Sequence, residues 1–128
     1  MPIDSLSILV VEDNPDIRSL LDRILVRLGY APTIVETGTA ALDALEDARY
    51  DLILTDLNLP DIAGDDLIRR ARQHPHCPPA ILMSGESCDQ AELALGEGSR
   101  VDVLAKPFSI TALRDILNRA LSPRRLAA

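Results

Sequence analysis

A chain of 128 residues with 47% apolar and 26% charged residues describes one soluble domain with enough sequence to bury a core. Its net charge of -7 argues against non-specific nucleic-acid binding, which needs a basic face, and its longest apolar runs are strand-sized, too short to cross a membrane. Cys77 and Cys88 form neither a CxxC nor a disulfide framework and Met1 to Ser5 show no signal-peptide pattern, so a reducing cytoplasm is expected.

Ser7-Ile8-Leu9-Val10-Val11 is a continuous apolar run ending in two acids, Glu12 and Asp13, and reads as the first strand. Asn14-Pro15 starts a helix, with Asp13 or Asn14 as cap and Pro15 preset for the first turn. Ile17, Leu20, Leu21, Ile24, Leu25 and Leu28 then mark one helix face up to Gly29. Thr33-Ile34-Val35 is a short strand suited to a place nearer a sheet edge, and Thr37 to Asp47 a second, Ala-rich helix. Within the stretch from Tyr50 to Pro60, Leu52-Ile53-Leu54-Thr55 runs into Asp56, the pattern of a fully buried parallel strand closing on a carboxylate.

A loop from Asn58 to Gly64 leads to a helix from about Asp65 to His74. Ala80 to Met83 is the next buried strand, ending in Ser84-Gly85, and a weakly patterned fourth helix covers Asp89 to Leu95. Val101 to Ala105 is the fifth strand, followed by Lys106-Pro107-Phe108 and a helix capped by Ser109 and stopped by Pro123. Strands alternating with helices five times predict an α/β fold, a parallel sheet wound on both faces, because parallel neighbours need crossover connections. One domain over residues 1–128 is expected, with its core at about 5–121 and residues 122–128 as a short tail.

The carboxyl ends of the strands gather Glu12, Asp13, Asp56, Ser84 and Lys106, the only lysine in the chain. In such sheets ligands bind beyond those ends. Taken singly, Asp13 reads as a cap, Ser84 as a turn residue and Lys106 as a surface charge; their coincidence at four strand ends favours a site. Two carboxylates about 4 Å apart repel by about 4 kcal/mol at an effective dielectric near 20, so three acids call for a cation. Oxygen-only ligands with room for water and a phosphate oxygen suit Mg²⁺. An aspartate beside Mg²⁺ and a lysine can attack phosphorus and form an acyl phosphate.

Glu12-Asp13, Asp56, Ser84 and Lys106-Pro107-Phe108, with Pro60 and Gly64 after Asp56, resemble the receiver domain of two-component response regulators over about Ser5 to Leu121. The resemblance implies a flavodoxin-like five-stranded sheet of order 2-1-3-4-5 with five helices. It implies a stand-alone receiver without an output domain, with Asp56 as acceptor of phosphate from a sensor histidine kinase or histidine phosphotransfer protein. By the same resemblance Asp13 and Asp56 would bind Mg²⁺ directly, Glu12 through water and Asn58 through its backbone carbonyl. Ser84 and Lys106 would each meet a phosphoryl oxygen, and Asn58 and Glu86 would modulate hydrolysis. The protein would catalyse its own phosphorylation and dephosphorylation and signal to a downstream protein target without being an enzyme in the usual sense. Whether it acts alone, as a relay intermediate or as a dimer stays open. One departure stands out: the aromatic switch residue that receivers carry three positions before the lysine is Val103 here. A backbone route through Ser84 to Cys88, hinged at Gly85, is expected to replace it.

Two rivals share parts of this pattern. A flavodoxin would need stacking aromatics and a loop that tolerates phosphate, whereas this chain offers Tyr30, Tyr50 and Phe108 and an acidic loop. A Mg²⁺-dependent phosphatase with an aspartyl nucleophile would place a second acid at residue 58, which is Asn58 here. His74, His76 and Cys77 lie among prolines and read as a solvated loop rather than a metal site.

Overall fold

In a computed structural model of the chain, residues 5–74, 78–85 and 101–121 are described. They form β1 (Ser7–Val11), α1 (Pro15–Arg27), β2 (Ala31–Val35), α2 (Gly38–Asp47), β3 (Leu52–Asp56), α3 (Gly64–Ala71), β4 (Ala80–Ser84), β5 (Val101–Ala105) and α4 (Ile110–Ala120). The five strands are all parallel and lie in the order β2-β1-β3-β4-β5, as expected. Four helices are described instead of the five expected. The segment expected to be helical at 89–95 falls outside the described residues, as do Glu86, Cys88, His76, Cys77 and the tail.

The central strands β3 and β4 are buried at every residue, which is why they run as Leu52-Ile53-Leu54 and Ala80-Ile81-Leu82-Met83 without polar alternation before their polar ends, Thr55-Asp56 and Ser84. Alternate residues then point to opposite faces, and each face meets its own helices. Ile8, Val10, Leu52, Leu54, Ile81 and Met83 pack with Leu21, Ile24 and Leu25 of α1 and Leu113, Ile116 and Leu117 of α4. Leu9, Val11, Ile53 and Leu82 pack with Ala41 of α2 and Leu67, Ile68 and Ala71 of α3. Burying one such Leu or Ile contributes about 2 kcal/mol, so these two layers are the main source of stability.

The helix ends follow from their caps. Asn14, not Asp13, caps α1: its side-chain oxygen accepts from the Asp16 and Ile17 N–H groups at 2.9 and 3.2 Å. Asp13 is thereby left to the strand-end cluster. Gly29, with φ of 95°, turns the chain out of α1 into β2. Thr37 caps α2 by accepting from Ala40 N–H, and Ser109 caps α4 by accepting from Ala112 N–H. A second device holds the start of α2. Asp61, in the β3-α3 loop, accepts from the Gly38 and Thr39 N–H groups at 2.9 and 2.8 Å and from the Thr39 hydroxyl at 2.5 Å.

Two boundaries differ from expectation. β2 starts at Ala31 rather than Thr33, pairing Ala31 with Ser7 and Pro32 with Ile8; an edge strand tolerates Pro32 because it pairs on one side only. α3 ends at Ala71 rather than His74, where the chain enters a turn.

Candidate functional site

The register of the sheet brings the expected residues together. Val11 is level with Thr55, Asp56 with Met83, and Ser84 with Ala105, so Glu12, Asp56, Ser84 and Lys106 leave adjacent strands at the same edge. Backbone bonds extend the ladder past the strand ends: Leu57 N–H donates to Met83 O at 2.9 Å, and Lys106 N–H to Ser84 O at 2.8 Å. The Lys106-Pro107 peptide is cis.

Glu12, Asp13 and Asp56 each offer a carboxylate oxygen within 4.8 Å of the others. Glu12 is fully buried, Asp56 is 7% exposed, and Asp13 stands open to solvent. This all-oxygen set, with one open carboxylate and two sheltered ones, fits a hard divalent cation that keeps part of its water. Part of the charge is already balanced from within the chain. Lys106 Nζ lies 3.0 Å from Glu12 Oε1 and 3.4 Å from Asp56 Oδ1. A cation is therefore not the only answer to the repulsion among the acids.

Burial pushes the Glu12 carboxyl above its ordinary value, against the Lys106 ammonium and the Asn14 N–H, which favour the anion. For Lys106 burial works downward, but the bond to Glu12 and the charge of Asp56 outweigh it and hold the amine above its ordinary value.

The Ser84 side chain is 1% exposed at the end of β4, beside this cluster. Asn58 is exposed in the loop between β3 and α3 and bridges Ala63 across a narrow turn. Within that turn Gly64 donates its N–H to Leu57 O at 2.7 Å, and a Cβ at Gly64 would lie 2.2 Å from the Asp56 carbonyl oxygen. Only glycine lets the start of α3 come this close to the strand that carries Asp56. A groove of about 300 Å³, lined by Asp13 and residues 57–63, opens beside the acids. A larger hollow, about 380 Å³, lies between the end of α2, Tyr50 and His74, remote from the acids and the lysine. Val103 is half-buried against the apolar layer under α2 and α3.

Two residues that sequence reasoning left unassigned bear on the site: Asp61, and Arg18 of α1, whose guanidinium reaches back to the carbonyls of Glu12 and Asp13. Both bond mainly to backbone groups in other segments, which no spacing rule signals.

The model of the response regulator receiver domain matches residues 8–118. Among curated proteins the chain is 38% identical over 117 residues to the response regulator protein PilR of Pseudomonas aeruginosa, covering 91% of this chain and 26% of PilR. It is 32% identical over 123 residues to the aerobic respiration control sensor protein ArcB of Escherichia coli, covering 93% of this chain and 16% of ArcB. The chain thus spans about a quarter or less of these relatives. Among solved structures it resembles a CheY-like response regulator receiver domain from Methylobacillus flagellatus, with a TM-score of 0.81, 30% identity, and coverage of 91% of this chain and 99% of the other. The receiver domain of a sensor histidine kinase from Pseudomonas aeruginosa, described with a magnesium ion coordinated in its active-site cleft, gives a TM-score of 0.81 and 34% identity, covering 91% of this chain and 98% of the other.

Proposed function

The chain belongs to the response regulator receiver domain family, and on that premise we propose that it accepts a phosphoryl group on Asp56, from a phosphohistidine of a sensor kinase or phosphotransfer protein, in the presence of Mg²⁺. The observation that carries this reading is the convergence of Glu12, Asp13 and Asp56 with Lys106 Nζ 3.4 Å from Asp56 Oδ1. A buried strand end holds the nucleophile still, and the neighbouring charges match what phosphoryl transfer develops.

A carboxylate oxygen of Asp56 attacks phosphorus, the bond from phosphorus to the donor nitrogen breaks, and its electron pair stays with the imidazole. Mg²⁺, when bound, neutralises oxygens of the transferring group. Asp13 and Asp56 would hold it directly, Glu12 through water, and Asn58 through its backbone carbonyl. Lys106 would exchange its bond to Asp56 for one to a phosphoryl oxygen, and the Ser84 hydroxyl would meet another. Asn58 and Glu86 would govern how water reaches the acyl phosphate during self-dephosphorylation. The phosphorylated state would act by changed binding of a downstream protein or by passing the phosphoryl group on in a relay, in the cytoplasm where phosphohistidine donors and Mg²⁺ are available. With Val103 in place of an aromatic ring, transmission would run through the backbone after Ser84, with Gly85 as hinge.

Incubation with a small phosphodonor and Mg²⁺ tests this. The expected result is stoichiometric labelling of the wild type and none of Asp56→Asn. Labelling of Asp56→Asn at the wild-type level overturns the assignment, and catalytic turnover of a phosphomonoester selects the aspartyl phosphatase instead.

A further inference from the structure

Resting on the same reading of the acids, we propose that Arg18 is a positioning residue that fixes the Glu12-Asp13 pair for Mg²⁺, with Glu36 as its counter-charge. Arg18 Nη1 donates to the Asp13 carbonyl at 2.8 Å and to the Glu12 carbonyl at 3.2 Å, while Nη2 pairs with Glu36 Oε1 at 3.1 Å. One planar guanidinium therefore grips two successive peptide oxygens and a carboxylate just beyond β2.

The two acids are held very differently. Glu12 is buried, its N–H donates to Val35 O at 3.1 Å, and its carboxylate accepts from Lys106 and from Asn14 N–H. Asp13 is exposed, and among the described residues its carboxylate has no hydrogen bond of its own, so its direction follows its backbone. That backbone leaves β1 with no strand partner. Arg18 supplies what the ladder no longer does, bonding both carbonyls from one turn into α1. A lone guanidinium this close would also repel a divalent cation. Glu36, joined to the same arginine, offsets part of that charge while the grip remains. Pre-setting Asp13 lowers the ordering cost that ion binding would otherwise carry.

The test is the Mg²⁺ dissociation constant of the unphosphorylated protein, measured by calorimetry on wild type, Arg18→Met, Arg18→Lys and Glu36→Gln, with melting temperatures taken without Mg²⁺. Arg18→Met is expected to bind Mg²⁺ about tenfold more weakly, a difference of about 1.4 kcal/mol. Arg18→Lys, a point donor that reaches one carbonyl at a time, should fall between, and Glu36→Gln should weaken binding a few-fold. With a small phosphodonor, the Mg²⁺ concentration giving half the maximal rate should rise in step, while the rate at saturating Mg²⁺ stays near wild type. A lower melting temperature with a dissociation constant within twofold of wild type would show a purely structural arginine and overturn the inference. Should Arg18→Met fail to fold, Arg18→Lys and Glu36→Gln decide by the same twofold limit. A wild type that is labelled on Asp56 and binds Mg²⁺, with variants that bind equally well, defeats the role of Arg18 alone. A wild type that binds no Mg²⁺ defeats both this inference and the reading of the site.

Discussion

Replacing Lys106 by methionine removes the one positive charge among three acids while keeping the length of the side chain. Nζ stands 3.0 Å from Glu12 Oε1 and 3.4 Å from Asp56 Oδ1. At an effective dielectric near 20 each attraction is worth about 5 kcal/mol before desolvation. Taking the ammonium and two carboxylates out of water offsets most of that gain. Deleting one partner still leaves the others buried and unbalanced, and for such pairs the loss is about 3 to 5 kcal/mol. The lysine side chain keeps 20% of its exposure, which favours the lower end, about 3 kcal/mol. For a domain of this size that is a fall of about 10 °C in melting temperature. Thermal unfolding followed by circular dichroism in metal-free buffer measures it. Adding Mg²⁺ should raise the melting temperature of Lys106→Met by more than it raises that of the wild type, because the ion replaces the missing charge. A metal-free melting temperature within about 2 °C of wild type would show that the lysine does not balance the acids.

Asp13→Asn should abolish most of the stabilisation by Mg²⁺, which for the wild type at a hundred times the dissociation constant is about 2.7 kcal/mol; a surviving shift on calorimetry would put the ion elsewhere. Gly64→Ala should cost about 3 kcal/mol in urea unfolding, since the new Cβ would meet the Asp56 carbonyl, and a neutral result would mean that the loop moves aside freely. The Thr39 hydroxyl and the Thr39 and Gly38 N–H groups hold the Asp61 carboxyl well below its ordinary value of 3.8. Its contribution to stability is therefore complete above that value and is lost as the pH falls beneath it toward the folded-state value. Carboxyl NMR should record the depressed titration, and Asp61→Asn should speed amide exchange at Gly38 and Thr39; an ordinary titration would refute the clip.

How much was legible follows from where each signal lies. β1, β3 and β4 were readable almost to the residue because a buried parallel strand is a run of branched apolar side chains, and the α1 face because its spacing is regular. The opening of β2 was not, since Ala31-Pro32 is an unremarkable pair that becomes strand only by lying against Ser7 and Ile8. Glu12, Asp13, Asp56, Ser84 and Lys106 were legible because each closes or follows a strand, and the fold converts that shared place in the sequence into a shared place in space. What stayed hidden was the balance inside the cluster. Nothing in the order of residues says that Lys106 lies closer to Glu12 than to Asp56, or that Arg18 turns back from a helix to hold the loop before it. Asp61 was hidden for the same reason, its partners lying 22 and 23 residues away.

The bond from Lys106 to Glu12 joins residues 94 positions apart, from the last strand to the first. A growing chain that has released β1 to β4 already carries all three acids but not the lysine that offsets them. Closing so long a span costs conformational entropy that a single ion pair does not repay, so the pair forms only when β5 is seated on β4. The charge balance of the cleft is therefore a mark of a finished sheet. A protein in which β5 has come away keeps its acids and loses their counterweight, and an anionic ligand meeting it would find a cleft that repels it.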